Sequence, residues 1–161
     1  MLVDFHSLFE RYSQDLYRFA LYLSGDPSLA EEIAQETFVR LWVMAGEIRE
    51  GTVKAYLLTI ARNLCLTEKK RAARQVILDG ELPDPKPGPE AEALGRLELE
   101  AVLNALQSLP EVDRAALLMH VQEGLPYAAI ASALGLSTAA VKVRVHRARI
   151  KLRGMFVPEG G

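Results

Sequence analysis

Residues 124–153 read GLPYAAIASALGLSTAAVKVRVHRARIKLR, and this stretch decides the fold. The fixed φ of Pro126 suits a first helical position, so a short helix is predicted to open there. It runs through Ile130 and Leu134 to Gly135, where the chain can turn tightly. Ser137 is then the expected N-cap of a longer helix, its hydroxyl accepting a hydrogen bond from an N–H of the first turn. Two helices of this size joined by a glycine-containing turn have the sequence form of a helix-turn-helix.

The longer helix has two chemically different faces. At about 100° per residue, Val141, Val145, Ala148 and Leu152 fall on one stripe, the expected core face. Ala139, Lys142, Val143, His146, Arg147, Ile150 and Arg153 fall roughly opposite. Residues 137–153 hold six Lys or Arg and no acid. A cationic outer face suits a major groove lined with phosphates, where each neutralised phosphate also releases counterions. A charge run alone is more often a solvated surface; the coupling to Gly135 and Ser137 favours the nucleic-acid reading.

Working outward, the 161 residues suffice for one ordinary domain or two small ones, and half are apolar. Net charge is only −2, yet its sign is segregated. Residues 1–50 hold nine acids against four bases, 62–74 five bases against one acid, and 75–100 seven acids against two bases. Such blocks point to different partners for different segments. Cys65 is the only cysteine, which excludes an internal disulfide and a cysteine-rich metal site. The first residues carry Asp4, His6 and Glu10, unlike a signal peptide, and no apolar run approaches about 18 residues. A cytoplasmic protein without membrane insertion is expected.

Phe5, Leu8, Phe9 and Tyr12, then Leu16, Phe19, Ala20 and Leu23, repeat as one amphipathic helix ending near Ser24 and Gly25. Asp26 and Pro27 open a second helix with a buried stripe of Ile33, Ala34, Phe38, Leu41, Trp42 and Ala45, and an outer face of Glu31, Glu32, Gln35, Glu36 and Arg40. Residues 46–51 form a loop. The third helix, 53 to about 73, is predicted to pack Leu57, Ile60, Ala61 and Leu64, with Thr59, Arg62, Asn63, Leu66, Lys69 and Lys70 directed away from the core. That second cationic face is a further candidate surface for nucleic acid. The segment LPDPKPGP, 82–89, has four prolines in eight residues and reads as an extended linker. Beyond it a helix packs Leu99, Val102, Leu103 and Leu106, Leu109 and Pro110 break it, and 112–122 form another helix with Ala116, Leu117 and Val121 inside.

No enzymatic constellation emerges. His6, His120 and His146 have no metal-ligand spacing, there is no phosphate-cradling glycine loop, and Glu31, Glu32 and Glu36 lack a histidine partner. Neither catalysis, nor a cofactor, nor a metal is expected; the acidic helix face reads as a protein-contact surface.

These residues carry a resemblance. The run LPEVDRAALLMHVQEGLPYAAIASALGLSTAAVKVRVHRARIKLR resembles region 4 of the extracytoplasmic-function sigma factors of bacterial RNA polymerase. AEEIAQETFVRLW is similar to their polymerase-clamp helix, and KAYLLTIARNLCLTEKKR to the segment that recognises and melts the minus-10 element. The resemblance implies that Glu32, Gln35, Glu36 and Arg40 bind polymerase. It implies that Tyr56, Arg62, Asn63, Lys69 and Lys70 meet minus-10 DNA, with a flipped base held at loop 46–51. It further implies that Ser137, Thr138, Ala139, Lys142, Val143, Arg144, His146, Arg147 and Arg149 meet the minus-35 element. Departures include Tyr56 for a usual Trp, Thr59 for a basic residue, and Val143 for a small polar one.

The expectation is therefore all-α: a region 2-like domain at 1–74, a Pro-rich acidic linker at 75–92, and a region 4-like helix-turn-helix domain at 93–157. Its partners would be core RNA polymerase, promoter DNA and an anti-sigma factor. The competing reading is an ordinary helix-turn-helix regulator whose N-terminal half senses a ligand or dimerises; it requires stable, palindromic DNA binding without polymerase.

Overall fold

The computed structural model describes residues 5–43, 53–80 and 93–156. They form seven α-helices and no strand: α1 Phe5–Ser24, α2 Pro27–Val43, α3 Val53–Asp79, α4 Ala93–Gln107, α5 Glu111–Leu117, α6 Tyr127–Leu134 and α7 Thr138–Phe156. Loop 46–51, Ala45 and the proline-rich segment 82–89 lie outside the described residues.

The first three helices make an N-terminal bundle. Leu16, Phe19, Ala20 and Leu23 of α1 are buried against Ala30, Ile33, Phe38 and Leu41 of α2 and Val53, Leu57, Leu58, Ala61 and Cys65 of α3. Gly25 takes φ +75 between α1 and α2, a left-handed turn that suits glycine. Asp26 caps α2 by accepting from the N–H groups of Ser28 (3.0 Å) and Leu29 (3.2 Å). Trp42, placed inside by its spacing, is 63% exposed, its ring meeting Phe5 edge-on at 4.7 Å. Ile60 and Leu64 are only half-buried, because Leu58 and Cys65 turn inward instead. Helix α3 also runs beyond residue 73 to Asp79, into the segment assigned to the linker, and there Ile77 and Leu78 are exposed.

The C-terminal bundle is built on α5, α6 and α7. Helix α5 continues directly into a π-helical turn, Leu118–Gln122. The wider turn advances less per residue than an α-helix, so Val121 swings out to 55% exposure while Leu118 and Met119 point inward. From residues 97–107 of helix α4, Leu103 and Leu106 are buried in the bundle, with Leu109 just after the helix; Leu99 and Val102, expected inside, lie on its open side. Two helices at 99°, α6 and α7, complete the bundle. Pro126 is the extended cap residue rather than the first helical one, at φ −69 and ψ 156. At the far end Gly135 is left-handed (φ 69, ψ 35) and Leu136 N–H donates back to Ala131 O at 3.0 Å, closing the helix in a Schellman pattern. Ser137 caps α7 as expected, its Oγ accepting from Ala140 N–H at 3.1 Å.

The two bundles are packed together. Helix α1 touches α4, α5 and the π turn, and α3 touches α6.

Candidate nucleic-acid interface

Helix α7 divides as its sequence requires. Val141, Val145 and Ala148 are buried, Leu152 half-buried, and Lys142, Val143, His146, Arg147, Arg149, Ile150 and Arg153 exposed. Ser137, Thr138 and Ala139 are exposed at the start of the same surface. Lys142 also lies over the Tyr127 ring at 5.7 Å, tying α7 to α6 by a cation–π contact. The structure therefore gathers eight of the nine residues chosen on this helix onto open surface. Arg144 is the exception: its Nη1 donates to Asp113 Oδ1 of α5 at 2.9 Å, and it is half-buried. Asp113 is itself buried, and Arg147 Nη1 stands 4.0 Å from its second oxygen. One carboxylate thus fixes the rotation of α7 against α5.

The α3 set does not form one face. Tyr56 and Asn63, seven residues apart, line the groove between α2 and α3 with Ile60 and Thr67. Lys70 is exposed. Arg62 and Lys69 point instead toward the C-terminal bundle. Arg62 Nε donates to Glu111 Oε2 at 3.0 Å and its Nη2 to Oε1, leaving the side chain 13% exposed. Lys69 stays exposed, its Nζ donating to Gln107 Oε1 at 3.3 Å, and desolvation, with Arg114 nearby, pulls its ammonium below the usual lysine range. A wheel drawn on α3 alone shows which side faces away from α1 and α2. It carries no information about a second bundle docking on that side.

Helix α2 carries its acidic face outward. Glu32, Gln35, Glu36 and Arg40 are all exposed and line one shallow groove with Glu68 and Arg71 of α3. Arg40 Nε and Glu36 Oε1 are 3.5 Å apart along the helix. Val39, Trp42 and Val43 extend this surface with exposed apolar side chains.

Several working residues escaped the sequence reading because they are charged and buried. Arg114 donates to Leu106 O (2.8 Å), Leu109 O (2.9 Å), Gln107 O (3.3 Å) and, across the bundles, Leu23 O (2.8 Å). Glu123 is buried, with Arg18 Nη2 at 3.3 Å and Lys54 Nζ at 3.4 Å; burial holds its carboxyl above the ordinary range against the pull of those two cations. The one available signal was position: Asp113 and Arg114 sit inside the apolar run from Val112 to Met119.

Residues 8–75 match the model of sigma-70 region 2, and residues 99–152 that of sigma-70 region 4. The ECF RNA polymerase sigma factor SigL of Mycobacterium tuberculosis is 30% identical over 151 residues, an alignment covering 91% of this chain and 85% of SigL. The chain belongs to the ECF RNA polymerase sigma factors. A probable RNA polymerase sigma factor of Xanthomonas campestris, RfaY, is 36% identical over 143 residues, covering 83% of this chain but only 36% of RfaY. Among solved structures, the sigma factor RpoE of Bartonella quintana, crystallised with the anti-sigma factor NepR, superposes with a TM-score of 0.83 at 28% identity, covering 97% of this chain and 98% of RpoE. Region 2 thus accounts for the N-terminal half that the regulator reading gave to ligand sensing or dimerisation. Among the described residues no group of His, Cys, Asp and Glu is arranged to hold a metal ion, and no single helix is long and apolar enough to cross a membrane.

Proposed function

We propose that this sigma factor binds core RNA polymerase through α2 and brings it to promoters by reading two DNA elements, with α7 at minus-35 and α3 at minus-10. The observation that carries the reading is α7, a buried Val141, Val145 and Ala148 seam backed by an open face with Lys142, His146, Arg147 and Arg149. In a major groove such cations pair with phosphates or guanine acceptors, and Val143, 54% exposed, packs on a thymine methyl. Arg144 serves differently from the other cations: held by Asp113, it sets the orientation of α7. On α3, Tyr56, Asn63 and Lys70 meet the minus-10 strand together with Arg62 and Lys69, the last two only once released from Glu111 and Gln107. Glu32, Gln35, Glu36 and Arg40 contact polymerase. The work is recognition rather than catalysis, carried out in the cytoplasm alongside polymerase, and the likeness to RpoE supports an anti-sigma partner.

Holoenzyme binding to a promoter fragment tests the α7 assignment. Lys142→Ala with Arg147→Ala should weaken binding and flatten its salt dependence by about one unit of slope for each phosphate left without its cation. Val143→Ser should abolish a preference for thymine at one minus-35 position. An unchanged salt slope and unchanged base preference would remove α7 from the interface.

A further inference from the structure

We propose that Asp113 is a positioning residue for minus-35 recognition: its second carboxylate oxygen holds Arg147 by Nη1 and leaves the opposite edge of that guanidinium to read a guanine. This rests on the reading of α7 as the minus-35 surface and adds to it which side chain reads a base and what aims it.

Asp113 is a buried carboxylate with half of its hydrogen bonding unmet. It is 1% exposed on α5, the helix that packs on α7. Its Oδ1 accepts from Arg144 Nη1 at 2.9 Å. Its Oδ2 is closed to solvent and accepts no hydrogen bond among the described residues. A buried acceptor left in this state is destabilising, and native structures seldom keep one without a use. The cation within ion-pair reach of that oxygen is Arg147, its Nη1 4.0 Å away on a side chain 62% exposed. Moving Nη1 inward by about 1 Å makes a charge-assisted hydrogen bond, a small adjustment for so exposed a side chain.

For Arg147 the consequence is chemical selection. A guanidinium carries five N–H donors on one rigid plane. With Nη1 turned back toward α5, Nε and Nη2 remain as a two-pronged edge, the geometry that pairs with the O6 and N7 acceptors of guanine. An unanchored arginine can settle on a neighbouring phosphate, a contact that carries no sequence information; one held at its inner edge cannot swing so far. Arg144 and Arg147, three residues apart on α7, thus share one carboxylate with different outcomes. Arg144 is half-buried and locks the helix, whereas Arg147 keeps its outer edge in the open. DNA docked on α7 excludes water from this corner and strengthens the attraction between Asp113 and Arg147. Holding the side chain in its binding rotamer also lowers the entropy lost on docking.

The test is equilibrium binding of holoenzyme, core polymerase with the full chain, to a promoter fragment in which each minus-35 position is varied in turn, repeated over a range of salt. Asp113→Asn keeps an oxygen for Arg144 and turns an N–H donor toward Arg147. Asp113→Leu with Arg144→Met replaces the buried pair by apolar side chains, an exchange folds commonly tolerate, and carries the test if the asparagine variant does not fold. Arg147→Lys keeps the charge and removes the fork. All three should lower the preference for guanine at one shared position about tenfold, with the salt slope unchanged. Asp113→Asn combined with Arg147→Lys should lose no more than Arg147→Lys alone. Lys142→Ala should do the reverse, flattening the slope while the base preference stays. Wild-type preference in both Asp113 variants, at the position where Arg147→Lys loses it, would show that Arg147 reads its base unaided and would overturn the proposal. Wild-type preference in Arg147→Lys would overturn it by removing the reader. Either result leaves α7 at minus-35 so long as Lys142→Ala flattens the slope; wild-type behaviour in every variant, Lys142→Ala included, takes away the α7 reading itself.

Discussion

Replacing Arg114 with methionine removes the side chain on which both bundles converge. Its guanidinium donates to four carbonyls, those of Leu106, Gln107 and Leu109 around the end of α4 and that of Leu23 at the end of α1. Hydrogen bonds to charged groups contribute about 1.5–3 kcal/mol each. The gross loss is offset by several kcal/mol, because a buried cation no longer has to be desolvated. That desolvation is real here, since burial pulls the Arg114 guanidinium below the usual arginine range. A net destabilisation of about 3 kcal/mol is expected, or about 6–12 °C in Tm for a chain of this length. Urea unfolding followed by circular dichroism, with Tm in parallel, measures it. Arg114→Lys should recover only part, because an ammonium cannot span four acceptors arranged for a planar fork. A methionine variant within about 2 °C of wild type would show that these four bonds do not hold the α4–α5 corner.

Three further outcomes follow from buried charges and the buried thiol. Arg144→Met leaves Asp113, only 1% exposed, without its hydrogen-bonded partner, so it should cost about 3 kcal/mol by urea unfolding, and Asp113→Asn in the same background should restore part of that. Glu123, facing Arg18 of α1 and Lys54 of α3, has its carboxyl pKa raised by burial in the folded chain; folding therefore takes up a proton between the ordinary value of 4.5 and the raised one. Its contribution to folding stability is accordingly present below that window and is lost as pH rises through the raised pKa, and Glu123→Gln should remove this response, as urea unfolding against pH will read. Cys65, 2% exposed and with its thiol pushed up to about 12, should resist a disulfide reagent in the native protein and react only on unfolding; rapid labelling of native protein would contradict its burial.

How much of this was legible in the sequence varies with how local the determinant is. The α6–α7 turn is a local problem: Gly135 supplies the left-handed residue, Ser137 the cap, and the Val141, Val145 and Ala148 spacing the core face, all as observed. The amphipathic reading of α1 and the start of α2 at Pro27 rest on equally local signals and hold. Apolar residues were misplaced where periodicity is not the whole rule. The π turn rotates Val121 outward, and Leu99, Val102 and Trp42 stay on open surface although their spacing fits a core. The α3 surface was half legible. Its cations were found, but Arg62 is withdrawn from solvent by Glu111, about fifty residues away, and no pattern within α3 encodes a docking partner. Buried Asp113, Arg114 and Glu123 escaped for the same reason: charged side chains are ordinarily solvated, and only their long-range partners show that these are not.

The most direct measurement is transcription in vitro by core RNA polymerase freed of every other sigma factor, on fragments of the host genome, with and without this protein. Defined start sites appearing only when it is added, each preceded by a shared pair of elements near minus-35 and minus-10, are the expected result. No start site under any condition, while the protein alone shifts a palindromic DNA fragment, would contradict the account.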